Sequence, residues 1–185
     1  MVDAVMETER LVLRKWRAKD REPFACMNAD AEVMRYFPRP VSRAESDAFV
    51  DRIDAHLGMH GFGLFALERK EDGAFLGFTG LHHGPAGTPV EDDIEIGWRL
   101  ARAYWRQGYA HEAASACIDW FWRETAHPRL VSFTTVSNTP SQNLMRKLGF
   151  EHRPEMAFDH PAIARDHPLS PHRVFVLERG SRSDG

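Results

Sequence analysis

Cysteine is scarce in this 185-residue chain: Cys26 and Cys117 are the only two, far apart and in no CxxC or other metal-ligand spacing. A disulfide framework and a cysteine-rich zinc site are both excluded, leaving two reduced and mostly buried thiols as the expectation. Basic charge is not in excess either, with 24 Lys and Arg against 27 Asp and Glu, a net charge of -3 and a pI near 6.4. Nucleic-acid binding by phosphate neutralisation needs a concentrated basic surface, so a protein or small-molecule partner is expected. No apolar run is long enough to span a bilayer, and the opening residues lack the basic-then-apolar order of an export signal. A cytoplasmic location is the corresponding expectation. Two phosphate motifs are also missing: there is no Gly-Lys-Ser/Thr triplet of a P-loop and no Gly-x-Gly-x-x-Gly after a strand.

What the chain does have is enough apolar content, 43%, for one sizeable core and therefore one domain. Residues 9–16 alternate as a strand. Short helical patterns at 20–29 and 31–36 stop at Pro38 and Pro40. Ser42 and Glu45 form a capping box that opens a helix running to about Leu57, with Phe49, Ile53 and Leu57 as its inward stripe. Two strand-like runs, 63–69 and 75–82, flank the turn residues Glu71, Asp72 and Gly73 and predict a hairpin. A loop at 84–93, a strand at 94–100 and an amphipathic helix at 109–122 follow, the helix carrying Ala110, Ala113, Ala114, Cys117, Ile118 and Phe121 on one face. A strand at 130–136 precedes a helix for which Thr139 is the expected cap, Pro140 its first residue and Gln142 the partner in a capping box. Strands at 151–158 and 173–178 close an α/β or α+β domain built on one mixed sheet.

The segment 93–114 runs strand, turn, glycine-containing loop and helix start. There, backbone N–H groups without intrahelical partners converge and the helix dipole adds partial positive charge, so a phosphate group is the natural occupant. Gly108 permits close backbone approach, Ala110 keeps the first helical turn uncrowded, and Arg106 is placed to add counter-charge or to stay solvated.

The run Tyr104-Trp105-Arg106-Gln107-Gly108-Tyr109-Ala110-His111-Glu112-Ala113 resembles the acetyl-CoA pyrophosphate loop of GNAT acetyltransferases, in the form typical of their RimJ/RimL branch. The run from Asn138 through Ser141 and Asn143 to Leu148-Gly149-Phe150 resembles the second signature of the same family. Glu95-Ile96-Gly97-Trp98 and the opening Glu9–Arg14 segment also match, so the resemblance covers roughly residues 8–178 and leaves 179–185 as a flexible tail. Two departures stand out: Trp105 and Arg106 replace commoner loop residues, and Met145 stands where many relatives carry a tyrosine acid, a proton donor that methionine cannot be.

The resemblance implies a single-domain GNAT fold: a mixed, mostly antiparallel sheet of about seven strands, flanked by helices, with a splayed parallel pair formed by 94–100 and 130–136. It implies acetyl-CoA as cosubstrate and no metal, with Ile96, Gly97, Trp98, Arg106, Gln107, Gly108, Tyr109, Ala110, Asn138, Ser141 and Asn143 as cofactor-binding positions. The implied reaction is direct attack of a primary amine on the thioester, and the favoured acceptor is a protein N-terminal α-amine. A small amine (antibiotic, polyamine or amino acid) and a non-catalytic acyl-CoA sensor remain alternatives. Glu95 is the first candidate base, and a backbone N–H near Ile96 or Gly97 the candidate oxyanion donor. His82 and His83 are candidates for base or pocket wall. The acids Glu91, Asp92 and Asp93 can draw in a cationic amine. His160, His167 and His172 border the expected acceptor mouth. His56 and His60 have i, i+4 spacing but no third ligand in the sequence pattern, and no metal is assigned. A homodimer is common among relatives, and Trp120 and Trp122 mark either an interface or a second packing layer.

Overall fold

The computed structural model describes residues 4–180, and every statement of absence below concerns these residues. In chain order they form β1 (Ala4–Glu7), β2 (Leu11–Arg14), α1 (Arg21–Ala29), α2 (Arg43–His60), β3 (Leu64–Arg69), β4 (Phe75–His83), β5 (Ile94–Leu100), α3 (Tyr109–Glu124), β6 (Arg129–Thr135), α4 (Thr139–Lys147), β7 (Glu151–His152), β8 (Phe158–Asp159) and β9 (Pro171–Glu178). One nine-stranded sheet runs β1-β2-β3-β4-β5-β6-β9-β7, with β8 also on β9. Every pairing is antiparallel except β5 with β6.

Alternation along the strands divides the core between two faces. On β3, Leu64 and Ala66 face Phe24, Val50 and Ile53 of α1 and α2, while Phe65 and Leu67 face the side covered by Ala113, Cys117 and Phe121 of α3 and Met145 of α4. Arg14 of β2 is fully buried. Its guanidinium is fastened to Asp20 at 2.6 and 2.8 Å and to Glu68 at 2.8 Å, so its charge is matched by two carboxylates inside the fold.

Several expectations are corrected. The sheet exceeds seven strands because β1 adds an edge and the expected strand at 151–158 is two short pieces, β7 and β8, interrupted by a 3-10 turn at Pro154–Met156. Proline cannot donate to a ladder, which explains the interruption. Residues 31–36 form turns without a helix. In α2 the Ser42 capping box forms, but the buried stripe is Ser46, Val50 and Ile53, with Phe49 and Leu57 on its flanks. Strict spacing by four drifts about 40° per step around a 3.6-residue helix, so Phe49 and Leu57 cannot share one line. Cys26 is exposed, and only Cys117 is buried.

In α4 the cap is Asn138, whose Oδ1 accepts from the Ser141 N–H at 3.3 Å, and Thr139 is the first helical residue. Gln142 makes no capping box; it donates to the Val136 carbonyl at 2.8 Å and accepts from Arg173 at 3.0 Å. Trp120 and Trp122 pack on the core as a second layer. Of the expected tail, residues 181–185 lie outside the described residues. Arg179 is held, its guanidinium donating to the carbonyls of Trp122, Thr125 and His127 at 2.6–3.0 Å, the unpaired acceptors at and just beyond the end of α3.

Candidate active site

The parallel pair is barely a pair. Glu95 opposite Val131 is the single matched position between β5 and β6, after which the strands part. Ser132 Oγ donates to the Ile96 carbonyl at 2.9 Å, so the peptide groups of Ile96 face β6. By the two-residue period of a strand, those of Trp98 face the same way, past the last paired position and into the gap. Gly97 lies between them and opposite Gly80 of β4, and its carbonyl accepts from Thr79 Oγ1 at 2.9 Å. Its peptide therefore turns toward β4. The Gly97 N–H, near which the oxyanion donor was expected, is thus turned away from the gap, and the Trp98 N–H faces it.

At the far end of β5 the chain turns through Arg102–Tyr104 and enters α3 over a loop with two left-handed residues, Arg106 at φ 59° and Gly108 at φ 85°. The backbone amides of residues 106–110 donate to no acceptor in the protein, and Gly108 supplies no side-chain cap. The loop is held from outside. Arg10 donates to the Gln107 carbonyl at 2.9 Å, pairs with Glu112 at 2.6 Å and lies over the Tyr109 ring at 4.5 Å. Trp105 Nε1 donates to the Leu100 carbonyl at 2.7 Å, which gives the unusual tryptophan a positioning role at the end of β5. The Gln107 side chain turns back to the Ala103 carbonyl at 2.7 Å, and Tyr109 is buried, so these two offer a ligand their amides alone.

Glu95 is 7% exposed, and burial pushes its carboxyl up to about 7, with His82 acting the other way. His82 Nε2 lies 3.0 Å from Glu95 Oε2, an approach close enough for charge contact but not aligned as a hydrogen bond, since Oε2 is buried without a hydrogen-bond partner. His82 Nδ1 faces the His83 carbonyl at 2.8 Å; a carbonyl only accepts, so Nδ1 carries a proton and Nε2 is the nitrogen turned to Glu95.

His82 and Glu95 are cross-strand partners on one face of the sheet. His83, the next residue, points to the opposite face and packs on His56, His60 and Phe62. The structure thus brings His82 to Glu95 and leaves His83 apart from it. It also supplies the third histidine that the spacing of His56 and His60 lacked, which corrects the ground on which a metal was set aside.

The second signature is less available than expected. Asn138 is engaged at both ends of its amide, as the α4 cap and as a donor to Thr134 Oγ1 at 2.9 Å. Asn143 is exposed and accepts from Arg146 at 3.3 Å; Ser141 is half-buried. Met145 is 1% exposed and belongs to the core. In the acidic loop, Asp93 is bound to Arg129 at 2.7 and 2.9 Å and Glu91 accepts from the Gly87 N–H at 2.7 Å, so Asp92 alone of the three has no such contact. His160 and His172 cluster with Phe133 and Phe158 on the β6–β9 side of the gap. His167 lies in the preceding turn, where its Nδ1 accepts from the Leu169 N–H at 3.1 Å.

Arg99 was not singled out in the sequence. It shares the Glu95 face of β5, donates to Asn28 Oδ1 at 2.7 Å, lies 4.1 Å from the Phe37 ring, and meets no carboxylate. Burial pushes its guanidinium down to about 10. Its signal in the sequence was period two from Glu95.

A family model described as "Acetyltransferase (GNAT) domain" matches residues 10–151. The chain belongs to the GNAT acetyltransferase family. It is an acetyl-CoA-dependent N-acetyltransferase. This GNAT chain is 28% identical over 146 residues to the Bacillus subtilis protein YkkB, spanning 78% of the chain and 84% of YkkB. It superposes on a solved acetyltransferase from Agrobacterium tumefaciens with a TM-score of 0.75 and 25% identity, covering 94% of each chain. The solved RimL, described as a ribosomal L7/L12 alpha-N-protein acetyltransferase in complex with coenzyme A, shares the fold at TM-score 0.75 and 14% identity, over 97% of this chain and 99% of that one. No helix of the GNAT domain is long and apolar enough to cross a membrane.

Proposed function

We propose that this enzyme acetylates a protein N-terminal α-amine by direct attack on acetyl-CoA, with Glu95 as the base. The observation that carries the mechanism is the Glu95 carboxyl: buried, raised to about 7, one oxygen without a hydrogen-bond donor, at the point where β5 and β6 part. A base with that pKa is half-ionised near neutrality, where it can take a proton from an ammonium group. His82 at 3.0 Å extends the proton's residence over two groups.

Acetyl-CoA supplies the activated acetyl group. The unpartnered amides of residues 106–110 and the α3 dipole suit its pyrophosphate, and the open edge of β5 suits its amide-bearing arm. The neutral amine adds to the thioester carbonyl, and the Trp98 N–H is the donor to the developing oxyanion in this reading. The carbon–sulfur bond then breaks. The proton taken by Glu95 and His82 is available to the thiolate, which accounts for turnover without a tyrosine at Met145; the second amine proton leaves to solvent.

The N-terminal acceptor rests on the likeness of residues 104–113 to the RimJ/RimL loop. One observation favours a second reading. Arg99, with no carboxylate partner, lies four residues along β5 from Glu95, about 13 Å at strand rise. That pairing suits a small amine carrying an anionic group.

Thiol release from acetyl-CoA, measured against N-terminal peptides and against amines with and without carboxylates, decides between them. Turnover on peptides that survives Arg99→Met supports the first reading. Turnover confined to anionic amines and lost in Arg99→Met replaces it with the second. No turnover on any amine, with acetyl-CoA raising the melting midpoint, overturns both.

A further inference from the structure

The last turn of α2 carries His56 and His60 one above the other, as i, i+4 residues must be. Gly61, at φ 73°, ends the helix, and the chain crosses through Phe62 and Gly63 into β3. The pairing of Leu64 with Gly80 and the bond from the Leu81 N–H to the Gly63 carbonyl bring the end of β4 back to this corner, and with it His83. The three side chains converge, with one nitrogen of each within 4.8 Å of the others.

His56 is already oriented as a ligand. Its Nδ1 lies 3.0 Å from the Phe62 carbonyl, which only accepts, so Nδ1 carries the proton and Nε2 keeps its lone pair. That Nε2 is buried without a hydrogen-bond partner. A metal-bound histidine has the same arrangement, its other ring nitrogen donating to a carbonyl that fixes ring and tautomer. Burial holds the pKa of His56 and of His83 below the usual imidazole value, and the other titratable neighbours of both are histidines, among them His60 and His82.

We propose that His56, His60 and His83 bind one divalent transition-metal ion of the zinc class through three imidazole nitrogens, with solvent completing the coordination. Imidazole donors without carboxylates select zinc, copper or nickel over calcium or magnesium. Tetrahedral zinc at ordinary Zn–N lengths sets its nitrogens about 3.3 Å apart. The exposed His60 and His83 reach that spacing by rotamer adjustment against the fixed His56. The site lies across β4 from Glu95, ties the end of α2 to the end of β4, and does not depend on the acceptor assignment.

The test uses the full chain freed of any affinity tag and stripped with EDTA. Zn2+ is titrated calorimetrically, and Co2+ is followed by its visible d–d absorption. The expected result is one ion per chain, tetrahedral cobalt bands, and at least tenfold weaker binding in His60→Asn and in His83→Asn, with His167→Asn unchanged as a control. His60 and His83 are exposed, so these variants remain folded even if His56→Asn does not. Failure of the wild type to bind one equivalent, or binding equally tight in both His60→Asn and His83→Asn, overturns the proposal.

Discussion

The two ends of β5 are built from different materials. At its C-terminal end, residues 106–110 present backbone amides, and the side chains around them act from outside: Arg10 and Trp105 hold the loop, while Gln107 and Tyr109 turn away from it. At its N-terminal end, Glu95 and His82 present side chains whose value depends on burial and on each other. A site made of amides tolerates changes of side chain so long as the backbone keeps its path. A site made of one buried carboxylate fails with a single atom exchanged.

The largest test of that contrast is Glu95→Gln, which keeps shape and removes the proposed base. Its kcat should fall by about 10²–10⁴-fold, while the KM for acetyl-CoA stays within a few-fold. In the wild type, kcat/KM should rise with pH through about 7, the pKa to which burial lifts this group. The same shift has a stability consequence. An acid whose folded pKa is raised binds its proton more tightly in the native state, so stability is full below the unfolded value and falls as pH rises through about 7. Glu95→Gln should therefore melt higher than wild type at pH 8, by an amount on the order of 3 kcal/mol at most, and lose that advantage below about pH 5. An unchanged kcat would move the base elsewhere.

On the amide side, Gly108→Val should act mainly on acetyl-CoA. A β-branched residue is strained at φ 85°, and the new Cβ would meet Arg10 Nη2 at 3.2 Å. A shift of one helix-entry residue costing about 1.4 kcal/mol raises the acetyl-CoA KM roughly tenfold. The effect on kcat at saturation should be small, which is the opposite split from Glu95→Gln. The smallest expected effect is that of Asn138→Ala. If Asn138 serves as a cap and not as a cofactor ligand, melting should report a loss of about 1 kcal/mol with the acetyl-CoA KM unchanged.

The same contrast explains what could be read from the chain. Residues 94–100 and 109–122 were legible because a strand and an amphipathic helix declare themselves by local period, and the amide loop between them follows from that order. Strand β1 was not, since four residues paired through a bulge carry no pattern of their own. Asn138 and Thr139 are both good caps in sequence, and only the turn geometry chooses between them. Arg99 and the meeting of His83 with His56 and His60 were illegible because the partners lie on other elements. His82 and His83, adjacent in sequence, were separated by the pleat itself.

Register across the middle of the sheet is carried by one residue pair, Glu95 with Val131. The five strands before that junction and the four after it therefore inherit almost nothing of each other's alignment. A bulge, an insertion or a lengthened hairpin in residues 4–93 has no ladder through which to disturb residues 129–178. Such a seam makes the junction a natural crossover point for chimaeras built from two related chains.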